Sequence, residues 1–196
     1  MKTIFITLSV LFISTMNAQA QTSDALPYAK IPEAPEHFTP GTIVARIVDG
    51  LGFRYYWATE ALTQADYDYE PANDGRTIAQ TMEHIYGLSK VILNTAKKQV
   101  TDYTLENETL TIEETRNATL ANLKTASELY AAATDLNEYK VIFKRASGES
   151  EFPFWNNLNG PIEDAVWHAG QLVVLRRSAG NPINPKVNVF LGKLND

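Results

Sequence analysis

The chain has 196 residues and a formal net charge of −6. Nucleic acids and anionic membranes both favour clustered Lys and Arg, so this balance argues against either as the main partner. The content of 44% hydrophobic and 20% charged residues is ordinary for a globular protein, and the length suits one domain with a sizeable core. Because the chain has no cysteine, disulfides, thiolate ligands, a cysteine nucleophile and a lipoprotein anchor are excluded.

Residues 1–20 have the pattern of a signal peptide. Lys2 precedes a short, mostly apolar run over residues 4–13, and Ala18-Gln19-Ala20 fits a signal-peptidase site. The apolar run is too short to span a bilayer comfortably. We therefore expect a periplasmic or secreted protein without a membrane anchor. The alternative is an N-terminal helix that packs on the domain.

Residues 21–38 contain three prolines and little periodicity, which predicts an extended arm. Residues 39–196 are interpreted as one all-α domain, a four-helix bundle with a C-terminal tail. Apolar spacing and capping patterns predict four helices, over residues 40–62, 77–98, 111–135 and 160–179. Threonine caps mark the predicted starts of the first three helices. Thr39 is followed directly by Pro40, whereas Thr77 and Thr111 are followed three residues later by Gln80 and Glu114.

Two glycines, Gly50 and Gly52, lie within the first predicted helix, where each costs about 1 kcal/mol relative to alanine. They indicate either close approach by a neighbouring helix or room for a ligand. The aromatic residues of segment 53–57 are interpreted as core and rim packing rather than as a binding site.

The connections are predicted to be a loop over residues 65–75 and a short irregular hairpin over residues 139–155. In the hairpin, Ser147-Gly148 forms the turn and Pro153 restricts the second strand to a sheet edge. Residues 182–196 are predicted to form a tail that docks on the domain surface through four apolar side chains: Val187, Val189, Phe190 and Leu191.

The last predicted helix carries the strongest chemical signal. Pro161 suits its first position, and Gly180 suits the left-handed position after its end. Asp164 and His168 are four residues apart and Gln171 follows three later, so all three share one stripe of the helix. A carboxylate and an imidazole one turn apart form half of a site for a divalent metal.

A family resemblance extends this interpretation. His168-Ala169-Gly170-Gln171, followed by Arg176-Arg177 and Gly180-Asn181-Pro182, resembles the last helix of the DinB-like (DNA-damage-inducible) family. The segment Glu83-His84-Ile85-Tyr86-Gly87-Leu88 resembles the second helix of that family, and the likeness covers about residues 39–181. The family consists of four-helix bundles, and its usual metal site joins a histidine of the second helix to a His-x-x-x-His pair of the fourth.

The resemblance implies a metal site made of His84, Asp164 and His168, with Asp164 at the position where the first histidine of the pair is commonest. Zinc is the leading metal, with Fe, Ni and Mn as alternatives. The competing interpretation is that the two imidazoles are hydrogen-bonded core histidines and Asp164 interacts with the helix dipole. Gln171 is the candidate catalytic residue because its amide could orient a ligand or bound water; its alternative role is to bind a helix carbonyl. His37 is interpreted as a surface residue.

Two functions remain open from the sequence. The first is a metal-dependent hydrolase or thiol transferase that activates a water or thiol nucleophile, because some DinB-like relatives resemble thiol transferases or isomerases. Export weighs against the thiol, since low-molecular-weight thiols are mostly cytosolic. The second is a non-catalytic exported bundle that binds a small molecule, a metal or a partner protein. Neither function identifies the small-molecule ligand, and either is compatible with a homodimer.

Overall fold

The computed structural model describes residues 25–106 and 108–196, so the predicted signal peptide over residues 1–20 lies outside the described residues. Four long helices and two short ones are present in the described chain. They are α1 (Pro40–Thr59), α2 (Gln64–Tyr67), α3 (Ile78–Ala96), α4 (Ile112–Ala131), α5 (Trp155–Asn157) and α6 (Glu163–Ser178). None of the helices described in residues 25–106 and 108–196 is long and apolar enough to cross a bilayer.

The four long helices form the predicted four-helix bundle. Helix α1 packs on α4 and α6, and α3 packs on the same two helices, so α1 and α3 face each other across the bundle. Their apolar stripes meet in one core because amphipathic helices can bury those stripes only against one another. The largest fully buried apolar and aromatic side chains include Leu51, Tyr55, Met82, Ile85, Leu123, Tyr130 and Leu172.

Helix starts agree with the predicted caps, whereas three helix ends come earlier. The side chains of Thr39, Thr77 and Thr111 each accept a hydrogen bond from the backbone three residues later, as capping boxes do. Helix α1 ends at Thr59 rather than at 62, α3 at Ala96 rather than at 98, and α4 at Ala131 rather than at 135. Glu60 has extended backbone angles (ψ 134°), so the chain leaves α1 directly after Thr59.

The start of the last helix differs from the prediction. Helix α6 begins at Glu163, preceded by a wide π turn over Leu158–Ile162 and the single turn of α5. Gly160 has non-helical angles (φ −98°, ψ −105°), which interrupt the helix that was predicted to run from 160. The predicted end is confirmed, because Gly180 adopts φ +93° just beyond α6.

A three-stranded sheet lies against α3. The predicted hairpin is present as β2 (Val141–Arg145) and β3 (Gly148–Phe152), with a regular antiparallel register rather than an irregular one. Strand β1 (Thr101–Asp102) adds to β2 in parallel and was not predicted. Two residues carry too little periodicity to identify a strand from sequence.

The described part of the arm, residues 25–38, contains no helix or strand and packs on α1. Tyr28 lies over Gly52, where an added Cβ would come within 2.5 Å of the ring. The Tyr28 hydroxyl donates a hydrogen bond of 3.0 Å to buried Asp49. Burial, together with this carboxylate, raises the pKa of Tyr28 far above its usual range. The space at Gly52 is therefore filled by the arm and not by a neighbouring helix.

The C-terminal tail forms a second small hairpin, β4 (Val187–Asn188) with β5 (Lys193–Leu194). Val187 and Leu194 pack against a small buried cluster: Ile31, Phe53 and Trp57. Val189, Phe190 and Leu191 are 45%, 96% and 52% exposed, so the expectation of docking is confirmed for Val187 and wrong for these three. The turn between the two strands carries Phe190 away from the domain.

Arg176 joins the end of α6 to the end of α1. Its buried guanidinium donates hydrogen bonds to the carbonyls of Trp57 (3.0 Å), Ala58 (3.2 Å) and Asn181 (2.8 Å). The Asn181 amide in turn donates to Asp66 Oδ2 at 2.8 Å. Arg176 and Asn181 of the family-like segment thus hold the bundle together at the end away from Asp164.

Candidate metal centre

The structure brings the three predicted ligands together between α3 and α6. His84 extends from α3, and Asp164 and His168 extend from the first two turns of α6. His84 Nε2 is 3.2 Å from Asp164 Oδ2, and His168 Nε2 is 3.3 Å from Asp164 Oδ1. One ligand atom from each residue lies within 4.8 Å of the others. Helices α3 and α6 pack side by side, so a histidine at the edge of one faces the polar stripe of the other.

The three side chains differ in exposure. His168 is 15% exposed, His84 32% and Asp164 41%. The two imidazoles meet edge to face with their centroids 4.6 Å apart. The group is therefore supported by protein on the His168 side and open to solvent beside Asp164, which leaves room for a small molecule to approach.

The partners of His168 favour one tautomer of its ring. Arg76 Nη1 lies 3.3 Å from His168 Nε2, and a guanidinium can only donate, so Nε2 presents a lone pair. The proton is then on Nδ1, which donates to Gln171 Oε1 at 2.7 Å. His168 Nε2 and Asp164 Oδ1 are consequently two acceptors facing each other at 3.3 Å. The Arg76 guanidinium offsets part of the repulsion between these two acceptors, and a divalent cation bound to both would offset more of it.

This donor set fits a divalent metal. Two imidazole nitrogens and a carboxylate oxygen are ordinary ligands of zinc, at about 2.0–2.2 Å from the ion. In a tetrahedral site such bonds place ligand atoms about 3.4 Å apart, close to the 3.2 and 3.3 Å separations observed here. The alternative of two hydrogen-bonded histidines uses the same contacts, because His84 Nε2 lies 3.2 Å from Asp164 Oδ2 and His168 Nδ1 lies 2.7 Å from Gln171 Oε1. The two interpretations therefore differ in whether a metal ion binds, which zinc content and zinc affinity test.

Gln171 acts on the group through His168. From the sequence, the Gln171 amide was expected either to orient a ligand or to bind a helix carbonyl. In the structure, Gln171 Oε1 instead accepts a hydrogen bond from the His168 ring. Such a partner fixes the tautomer and orientation of a metal-binding imidazole. Glu83 and Glu163, the acidic neighbours of the group in sequence, are exposed. His37 lies in the exposed part of the arm, 3.9 Å from Glu36, and is not part of the group.

Arg76 is a neighbour of the group that the sequence did not reveal. It precedes the Thr77 cap of α3 and is exposed, as many loop arginines are. Its contact with His168 joins residues 92 positions apart in the chain. Such a pair emerges only from the packing of α3 on α6.

Comparison with known proteins agrees with this architecture. The model of the DinB family matches residues 54–189, which is more than half of the chain. The chain belongs to the DinB family. The match includes all three members of the His84–Asp164–His168 group and the whole of the sheet. No curated protein and no solved structure matches the chain.

Proposed function

We propose that this DinB protein is an exported, metal-dependent enzyme that activates a water or thiol nucleophile at the His84–Asp164–His168 group. The observation that carries the proposal is the convergence of the three side chains, whose ligand atoms all lie within 4.8 Å of one another. Zinc is the metal that this donor set favours, and Fe(II), Ni(II) and Mn(II) suit the same ligands.

A divalent metal held by three protein ligands keeps a position free and lowers the pKa of a water or thiol towards neutrality. Gln171 would hold the His168 ring in the tautomer that presents Nε2. Arg76, at 3.3 Å from that nitrogen, supplies a positive charge that could stabilise negative charge on a substrate. A substrate would approach the group from its solvent-open side, next to Asp164.

Water is the nucleophile we favour, because the proposed export would place the protein where small thiols are scarce. Export is supported by the signal-peptide pattern of residues 1–20 and by the absence of cysteine from the chain. Intact-mass measurement on protein secreted by its native host tests it. The expected mature chain starts at Gln21, and a mature chain that retains Lys2 would contradict export.

The second candidate is a binding protein without catalysis, which uses the same ligands and a neighbouring apolar cleft. The half-exposed cleft beside Asp164 favours it, because such a cleft can retain a small molecule without any reaction. The two candidates share the metal and differ in turnover.

The experiment that separates them uses metal-replete mature protein purified without a histidine tag. Esters, amides and thiol-plus-electrophile pairs are screened for turnover, with and without a chelator. We expect turnover that the chelator abolishes, that His168→Ala abolishes, and that His37→Ala leaves unchanged. Turnover that survives both the chelator and His168→Ala would contradict the mechanism. Metal binding without turnover of any substrate class would favour the binding protein.

A further inference from the structure

An apolar cleft of about 320 Å³ lies directly beside the metal-binding group. It lies between α3, the three-stranded sheet and the turn that leads into α6, and Asp164 forms part of its wall. Its apolar lining comes from Leu88, Val91, Tyr103, Phe143, Phe152 and Pro161. A molecule in this cleft would therefore contact one of the three proposed metal ligands.

One wall of the cleft is aromatic and comes from the sheet. The ring centroids of Tyr103 and Phe143 are 5.7 Å apart, and those of Phe143 and Phe152 are 6.0 Å apart. The Arg145 guanidinium lies 5.1 and 4.9 Å from the centroids of Tyr103 and Phe143. The three rings therefore form one continuous surface, with the Arg145 cation over the rings of Tyr103 and Phe143.

These rings remain accessible to solvent, with Tyr103 at 53% and Phe152 at 38% exposure. Contiguous exposed apolar surface costs solubility and is usually retained for binding. An apolar cleft with a few polar groups at one end is the usual form of a small-molecule site, and this volume is at the lower end of the range for such sites. Tyr103, Phe143 and Phe152 are not part of the buried core cluster of the bundle.

We infer that the substrate is an amphipathic small molecule with a flat aromatic or branched aliphatic body of roughly one or two rings. The body lies against Tyr103, Phe143 and Phe152, and the polar reacting group lies at His84, Asp164 and His168. This inference rests on the proposed function, because the metal-binding group is what holds the polar end. The continuity of the two regions at Asp164 determines which end of the molecule reacts.

The test uses two hydroxamates as probes, since a hydroxamate binds divalent metals through its two oxygens whatever its tail. Binding of acetohydroxamate and 2-naphthohydroxamate to zinc-loaded mature protein is measured by calorimetry. We expect the naphthyl probe to bind about 30-fold more tightly, because its rings leave water for the cleft.

Two variants assign this gain to the cleft. Phe143→Ala and Tyr103→Ser should each reduce the naphthyl advantage to about five-fold or less and leave acetohydroxamate affinity unchanged. Because Tyr103 is half exposed, its replacement should disturb folding less than Phe143→Ala does. Phe38→Ala, at a 92% exposed aromatic residue of the arm, is the matched control and should retain the full advantage.

The outcomes separate this inference from the proposed function. If acetohydroxamate binds but the naphthyl probe gains nothing, or if the gain persists in both cleft variants, the inference about the cleft is wrong and the metal site stands. If neither hydroxamate binds because zinc does not bind, the proposed function fails and the inference fails with it.

Discussion

Replacement of Arg76 by glutamine should strengthen metal binding. The Arg76 guanidinium nitrogen lies 3.3 Å from His168 Nε2, the atom that would bind the metal about 2.1 Å away. Metal binding must therefore either displace the guanidinium or tolerate its charge. Coulomb's law gives about 1.7 kcal/mol of repulsion between charges of +1 and +2 that are about 5 Å apart in water. Screening at physiological ionic strength reduces this to about 1 kcal/mol.

Arg76→Gln should thus lower the Kd for zinc about five-fold, as 1.4 kcal/mol corresponds to a factor of ten. The assay is competition with a chromophoric chelator at two ionic strengths, and the gain should shrink at high salt. Arg177→Gln is the matched control, because it removes the same charge from an exposed position of α6. Nine helical residues place Arg177 about 13 Å along the axis from His168. Weaker zinc binding by Arg76→Gln would refute the reasoning, since Arg76 would then support the site rather than compete with the metal.

Two further changes test the support of the site and of the bundle. Gln171→Ala should weaken zinc binding about ten-fold and leave the zinc stoichiometry intact, because loss of a partner of a metal-binding imidazole typically costs 10- to 100-fold in affinity. An unchanged Kd for zinc in the chelator assay would contradict the role of Gln171 in holding the His168 ring. Gly52→Ala should lower the free energy of unfolding by about 1 kcal/mol, because the new Cβ would clash with Tyr28. In a Tyr28→Ala background the clash is gone, so the same change should raise the free energy of unfolding by about 1 kcal/mol through helix propensity. Gly50→Ala is the control in urea denaturation, since its Cβ meets only a flexible arginine end at 3.1 Å, and the same loss there would contradict the packing argument.

The sequence predicted the bundle because its signals are local. Each of the threonine caps Thr39, Thr77 and Thr111 acts within four residues of chain, and each forms the capping box that the sequence suggested. The stripe of Asp164 and His168 was also predictable, because helical geometry alone determines which residues four apart share a face. The start of the last helix was less predictable, since Gly160 interrupts the predicted helix through backbone angles that no residue pattern specifies.

The parts that could not be predicted depend on contacts between distant segments. Strand β1 exists because two residues, Thr101 and Asp102, pair with Phe143 and Lys144 of β2. The aromatic wall of the cleft follows from that pairing, so it cannot be recognised from the separate segments. The contact of Arg76 with His168 likewise depends on how α3 and α6 pack. Local patterns thus predict which elements form, and tertiary packing determines the surroundings of the site.

The most direct test of the metal centre is the zinc content and zinc affinity of tag-free mature protein, measured by elemental analysis and calorimetry. We expect one zinc ion per chain, and we expect His168→Ala to weaken binding by more than about 100-fold, because loss of a ligand should cost more than loss of an outer partner. The exposed third histidine supplies the control, so His37→Ala should bind zinc as the wild-type protein does. A wild-type protein that binds no divalent metal, or a His168→Ala variant with wild-type zinc affinity, would contradict the assignment of His84, Asp164 and His168 as a metal site.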